Sequence, residues 1–268
     1  MIKDISEEDF TNQIEIIGWL YQYYNSELKD DTFKNIKKNK VPKNRIPAAT
    51  QLFTPNWIVK YMVENSLGRL WLEGHPNTDF QTKMKYYLTE CEQEKDVNIE
   101  LDTIRKNLKN INPEDIHIID PCMGSGHILT YVFDILMEIY ISMGYTKSDS
   151  TIKILQNNIY GLDIDNRAYQ LAYFSIMMKA REYNRKILKQ NITPLLYPIQ
   201  ESDNISMDLI NSIIKENPVI KEDLLYLIDT FKNAKEYGSL INVKNLKFNE
   251  LKEAIKQFTS NKLNFTKR

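Results

Sequence analysis

The stretch from residue 118 to residue 136, IIDPCMGSGHILTYVFDIL, constrains the fold more than any other part of the chain. A short apolar run, Ile116 to Ile119, reads as a buried parallel strand and ends in an acid, Asp120. The chain then passes through Gly124-Ser125-Gly126 and enters an amphipathic segment with Leu129, Val132, Phe133, Leu136 and Tyr140 on its inner side. This spells strand, tight turn and helix, because glycine lets the backbone turn and approach a ligand with no Cβ in the way. An acid at the end of a parallel strand lies at the crevice where such sheets bind ligands. There it can accept hydrogen bonds from a ligand ammonium. The spacing is not G-x-G-x-x-G, and the lysine of a P-loop is missing. Glycine turn plus acid therefore favours an amino-acid-bearing nucleoside over a dinucleotide pyrophosphate, and disfavours a nucleotide-binding oxidoreductase. The competing reading is an ordinary strand-to-helix turn.

Further along, Ile159 to Leu162 forms a second strand ending in Asp163, within YGLDID. An acid there can accept both hydroxyls of a ribose, although dinucleotide folds place it only about 20 residues beyond the glycines. Asp165 suits the N-cap of the next helix, whose Ala168, Leu171, Ala172, Ser175 and Met178 face the sheet. Residues 193–199 are a third strand candidate, weakened by Pro194 and Pro198. From about residue 204 the pattern reads as three helices, with turns at Asn217-Pro218 and Gly238. Alternating strands and helices give an α/β class with a parallel sheet.

Before the first strand the chain reads as helical. Ile14, Ile17, Tyr21, Tyr24 and Leu28 keep helical spacing over residues 10–30. Residues 55–73 form the clearest helix, with Thr54 as N-cap, Pro55 at the first position and a stripe of Val59, Met62, Val63, Ser66, Leu67 and Leu70. Free N–H groups at this start, around Thr54 and Pro55, could face a carboxylate. Residues 76–112 are polar and mostly helical. The segment Lys34 to Arg45 is basic and without acids; it reads as a solvated surface, with a phosphate-contacting arm as the alternative. The expected organisation is a helical region 1–112, a Rossmann-like core 113–203 and a helical extension 204–268.

Composition excludes more than it assigns. With 42% hydrophobic and 26% charged residues, the chain suits a folded soluble protein. The net charge of −1 gives no global basic field for nucleic acid. Cys91 and Cys122 match no metal spacing and read as reduced cytoplasmic thiols. The acidic N-terminus is unlike a signal peptide, and no apolar run nears the ~20 residues that cross a bilayer.

QLFTPNWIVKYMV, then DPCMGSGHIL, then YGLDID is the motif order of gamma-class DNA adenine methyltransferases, and the chain resembles that family, including type I and type IIG restriction–modification enzymes. The longer runs ATQLFTPNWIVKYMVENSLGRLWLE and GLDIDNRAYQLAYFSIMMKARE, with AKEYGSLINV at 234–243, look like the PglX branch, the adenine-specific methyltransferases of BREX phage-defence systems. The likeness runs from about residue 45 to residue 243. It implies a partial S-adenosylmethionine-dependent methyltransferase fold. Thr54 and Pro55 would match the segment closing over the cofactor's amino-acid end. Asp120, with Pro121, would match the acid that holds the methionine ammonium. Gly124, Ser125 and Gly126 would lie beside the cofactor, and Asp163 would bind the ribose. Ile164 would pack on the adenine ring, and Glu201 or Ser202 would reach its edge.

One departure is large. The family's Asn-Pro-Pro-aromatic motif, which grips the flipped adenine, is missing: the sequence contains no Pro-Pro, and Asn217-Pro218 continues with Val219 and Ile220. The chain is therefore expected to be an N-terminal fragment, inactive alone. DNA and other defence-system subunits would be met through the full-length protein, and an unpaired sheet edge invites self-association. Two other classes stay open: a non-catalytic S-adenosylmethionine-binding regulatory module, and a methyltransferase acting on RNA or protein.

Overall fold

The computed structural model describes residues 16–35, 40–52 and 54–265, without the side chains of residues 17 and 260–265. Ile14, residues 36–39 of the basic segment and Phe53 lie outside the described residues. The chain divides into two compact units, Met1–Pro198 and Ile199–Arg268.

The first unit begins with helix α1 (Ile16–Asn35). Its buried positions are not those of the expected apolar stripe. Asn25 and Thr32 are buried, whereas Tyr24 is exposed. A short helix α2 (Ile46–Thr50) follows. Helix α3 starts at Asn56–Val63, continues through a π turn at Glu64–Gly68 and ends at Arg69–Gly74. Thr54 is not its cap: Pro55 occupies that position, and no side chain caps the helix.

The α3 stripe also departs from expectation. Val59, Val63, Leu67 and Trp71 are buried, while Met62, Ser66 and Leu70 are exposed. In an ideal α-helix of 3.6 residues per turn, a row of four-residue steps drifts around the axis. The wider π turn absorbs that drift and keeps the row on the core.

The polar stretch after α3 is only partly helical. Helix α4 (Thr78–Lys83) is capped by Asn77, whose side chain accepts from Phe80 N. Residues 84–94 form no helix before α5 (Lys95–Leu108). Side chains of α3 hold this segment instead. The buried Glu64 carboxylate accepts from Tyr86 N and, at 2.6 Å, from the Tyr131 hydroxyl. Asn65 accepts from Leu88 N and donates to Tyr86 O, each at 2.8 Å.

Three parallel strands follow: β1 (Ile118–Asp120), β2 (Ile159–Asp163) and β3 (Leu195–Pro198), in the order β1-β2-β3. Asp120 pairs with Gly161, and Asp163 with Pro198. Helix α6 (His127–Ser142) links β1 towards α7 (Lys147–Lys153) and a second π turn, Ile154–Asn158, which runs directly into β2. Helix α8 (Asn166–Tyr183) links β2 to β3. The fold is α/β, with a small parallel sheet of Rossmann-like type and a largely helical remainder.

Alternation along the strands gives the sheet two unlike faces. Ile159, Gly161 and Leu196 are buried. Ile119 is 60% exposed and Tyr197 is 52% exposed. The expected fully buried first strand is thus buried on one side only, because Ile119 points away from the face that holds Ile159. The expected inner residues of α8 need a similar adjustment. Ala168, Ala172 and Ser175 are buried, but Leu171 and Met178 are half-buried, and Ile176, Met177 and Ala180 complete the inner row.

In the second unit, α9 (Met207–Glu216) is capped by Ser206, and α10 (Lys221–Thr230), the single turn α11 (Ala234–Tyr237) and α12 (Phe248–Phe265) follow. Ile210, Ile213, Leu224, Leu251 and Phe258 form its core. Asn217-Pro218 starts a 3-10 turn between α9 and α10, and Gly238 has a φ of 54°.

Candidate cofactor site

The site is built where β1 and β2 end. Past Asp120 the chain must reverse within a few residues, and it does so with Gly124 at φ 54° and Gly126 at φ 81°. Both angles favour glycine. The turn is tied in place by backbone bonds: Met123 N donates to Leu162 O at 3.0 Å, and Gly126 N to Met123 O at 2.8 Å. Gly126 has a second constraint, since a Cβ there would stand 3.1 Å from the Cα and Cβ of Ala172. Gly124 differs, as a Cβ there would meet nothing within 4 Å. The space over Gly124 is open, and the space over Gly126 belongs to α8.

Asp163 joins the two strand ends. Its Oδ2 accepts from Gly124 N and its Oδ1 from Asp165 N, both at 2.8 Å. Burial raises its pKa, these two bonds lower it, and the nearby Asp120 charge raises it further. Asp120 is the less satisfied partner. Its Oδ1 accepts from Cys122 N at 3.1 Å, while its buried Oδ2 has no hydrogen-bond partner among the described residues. Burial pushes its carboxyl above the usual carboxylate range. A desolvated acid with an unfilled oxygen favours a cationic hydrogen-bond donor.

The remaining sequence-predicted residues spread around this centre. Pro121 is exposed, whereas Ser125 and Ile164 are half-buried. Thr54 is half-buried and Pro55 exposed at the start of α3. Pro55 has no N–H, so any anion contact at this helix start must use Thr54 or residues after Pro55. Asp165 is the N-cap of α8, accepting from Arg167 N at 3.0 Å. Glu201 and Ser202 belong to the second unit. There Glu201 accepts from Lys235 N at 3.3 Å, and Ser202 donates through its hydroxyl to Ile228 O and through its N–H to Phe231 O.

Sequence reasoning missed the part played by α1. The Tyr21 hydroxyl donates to Asp165 Oδ2. Asn25 donates to Gln51 Oε1 at 2.7 Å, and Lys29 Nζ to Gln51 O at 2.9 Å. The signal was present as polar or amphipathic residues four apart, but it was overlaid by a plausible apolar stripe.

A separate groove of 510 Å³ lies along α8 and the segment leading to β3, lined by Tyr173, Phe174, Met177, Met178, Leu188 and Ile192 among others. None of the predicted site residues lines it. Cys91 and Cys122 are exposed and form no disulfide. Among the described residues no acidic, histidine or cysteine cluster could hold a metal ion, and no helix is long and apolar enough to cross a membrane.

Three parallel strands with a glycine turn after the first and acids closing the first two are consistent with a partial methyltransferase fold of Rossmann-like form. In agreement, the family profile "MmeI, DNA-methyltransferase domain" matches residues 91–217. More particularly, the chain is homologous to adenine-specific methyltransferases named PglX and BrxX. It is 40% identical over 263 residues to "Adenine-specific methyltransferase PglX" of Lacticaseibacillus casei (strain Zhang), covering 93% of this chain and 21% of the relative. It is 46% identical over 202 residues to "Adenine-specific methyltransferase BrxX" of Escherichia coli O9:H4 (strain HS), covering 75% of this chain and 16% of the relative. The chain thus spans only about a fifth of the length of these curated relatives, or less.

Proposed function

We propose that this chain forms the S-adenosylmethionine-binding part of a site-specific DNA methyltransferase that modifies the amino group of adenine, in a restriction–modification or phage-defence system. The observation that carries the reading is Asp120, whose buried Oδ2 lacks a partner at the strand end that leads into the glycine turn. An ammonium would satisfy that oxygen and offset its desolvation.

In this reading Asp120 holds the methionine ammonium, with Pro121 shaping the strand exit. Gly124, Ser125 and Gly126 provide the backbone cradle. Asp163 accepts the ribose hydroxyls with the lone pairs left over from its two backbone bonds. Ile164 packs on the adenine ring, and Thr54 with Pro55 closes the amino-acid end. By the family resemblance alone, Glu201 or Ser202 is assigned to the adenine edge. When bound, S-adenosylmethionine supplies an electrophilic sulfonium methyl. The residues of this chain bind and orient it, but methyl transfer also requires a positioned and polarised amine. The sequence has no Asn-Pro-Pro-aromatic motif, and its Asn217-Pro218 lies between two helices with an exposed Val219 next in line. We therefore assign no catalytic residue and expect the chain to transfer no methyl group alone. That same observation favours a second reading, a non-catalytic S-adenosylmethionine-binding module that regulates a partner.

DNA would be engaged through the full-length protein in the cytoplasm, with other defence-system subunits as further partners. Self-association through the unpaired sheet edge is a further proposal, supported by the exposed Ile119 and Tyr197. Light scattering that shows a monomer at every concentration would count against it. The main reading is tested by titrating S-adenosylmethionine into the chain by calorimetry. Micromolar binding that is lost in Asp163→Ala supports it, and no binding at millimolar ligand defeats it. Tritium transferred from labelled cofactor to duplex DNA by this chain alone would overturn the inactivity.

A further inference from the structure

We propose that helix α1 is a positioning clamp for the cofactor site, acting through Tyr21, Asn25 and Lys29. The three residues are four apart, so they lie along one helical face. Tyr21 reaches Asp165, the cap of α8. Asn25 and Lys29 both reach Gln51, the first on its side chain and the second on its carbonyl. One rigid element thus holds two segments that are far apart in sequence. Gln51 stands three residues before Thr54. Asp165 donates its own N–H to Asp163 Oδ1 at 2.8 Å. The inference rests on the cofactor reading, in which those two segments meet opposite ends of one small molecule.

Several features separate this clamp from ordinary surface bonding. Asn25 is only 3% exposed, so its amide bonds are made out of water, where leaving a partner unmade is costly. The Arg167 guanidinium lies 5.8 Å from the Tyr21 ring centroid, within cation–π range. Burial, followed by the Asp165 bond and charge, pushes the Tyr21 hydroxyl up to about 12. It therefore remains a donor across the physiological pH range. Asp165 is held on three sides: it accepts from Tyr21, from Arg167 N and, at 3.4 Å, from Arg167 Nε. Its backbone N–H is consequently fixed, and with it one oxygen of Asp163. None of the three α1 residues is assigned a contact with the cofactor. They set the separation and orientation of the segments that are.

Positioning makes the coupling reciprocal. If α1 improves cofactor binding, cofactor must stabilise docked α1 by the same free energy. The test compares wild type, Tyr21→Phe, Asn25→Ala and Asp163→Ala as full chains. S-adenosylmethionine affinity is measured by calorimetry, and hydrogen exchange over residues 16–35 is followed with and without cofactor. The clamp predicts about fivefold weaker binding for Tyr21→Phe, the effect of one lost hydrogen bond. It also predicts that cofactor slows exchange in α1 of wild type but much less in Tyr21→Phe. A merely structural role would speed exchange equally with and without ligand. Wild-type affinity and unchanged exchange coupling in both α1 variants, with Asp163→Ala still defective, would overturn the clamp and leave the cofactor site standing. No binding by wild type would remove the cofactor site and the clamp together.

Discussion

The backbone N–H of Gly124 donates to the Asp163 carboxylate at 2.8 Å, so the turn after β1 and the end of β2 form one piece. Asp163 is thereby a structural acceptor as well as a proposed ribose ligand. Asp163→Asn keeps the size but turns one oxygen into a donor that faces an N–H. It is expected to lower the melting temperature and to weaken S-adenosylmethionine binding at least tenfold. Thermal unfolding and calorimetry check the two effects separately.

The two glycines of the turn should respond differently to alanine. Gly126→Ala combines positive φ with a clash against Ala172 and is expected to destabilise by about 3 kcal/mol. Gly124→Ala meets open space and carries only the conformational penalty, about 1 kcal/mol. Its Cβ, however, projects where the cofactor is proposed to lie. Denaturant unfolding should rank Gly126→Ala as the less stable variant. Gly124→Ala should lose more affinity than its stability loss explains.

The carboxyl of Asp120 is raised by burial, and that of Asp163 chiefly by burial. A carboxyl whose pKa is higher in the folded state binds its proton more tightly there. Its ionisation therefore burdens the folded chain at neutral pH, and the burden is lifted as pH falls through the raised value. Asp120→Asn should accordingly melt higher than wild type at pH 7, and the gap should close on acidification. Cofactor affinity should move the other way. It requires the ionised form and should fail at a higher pH than an exposed carboxylate, near 3.9 when unperturbed, would cause. Melting curves and calorimetric titrations across pH 4–8 check both signs.

Asn158 is fully buried and joins three elements. It accepts from the Tyr140 hydroxyl at 2.9 Å and donates to the carbonyls of Pro113 and Ile116, each at 2.7 Å. Asn158→Leu would leave these groups unpaired just ahead of β1. A loss of about 3 kcal/mol is expected, against about 1 kcal/mol for Tyr140→Phe, which leaves the two carbonyl bonds in place. Urea unfolding of both variants checks the order.

The positions of the strands, the glycine turn and the two acids were legible because each depends on local chemistry: apolar runs, positive φ, an acid at a strand end. Asp165 as a cap was legible for the same reason. What escaped was set by neighbours distant in sequence. The π turn at Glu64–Gly68 turned the α3 stripe, and nothing in the spacing of Met62, Ser66 and Leu70 announces it. Residues 84–94 leave the helix because Glu64 and Asn65 offer their backbone other partners. Ile119 was read as buried from its composition, but burial needs a second layer on its side of the sheet. In α1 the buried side chains are the polar Asn25 and Thr32, so hydrophobic periodicity found the half-buried Tyr21 and Leu28 of that face but not the residues buried between them.

Tyr21 and Asp165 are 144 residues apart in sequence. Loop-closure entropy grows with that separation, and such remote contacts slow folding. The crossovers from β1 through α6 to β2, and from β2 through α8 to β3, are far more local. They can assemble while α1 is still searching. During synthesis α1 emerges well before Asp165, the residue it will hold, has been made. The element proposed to frame the cofactor mouth is thus made long before its partner and is among the last to find its place.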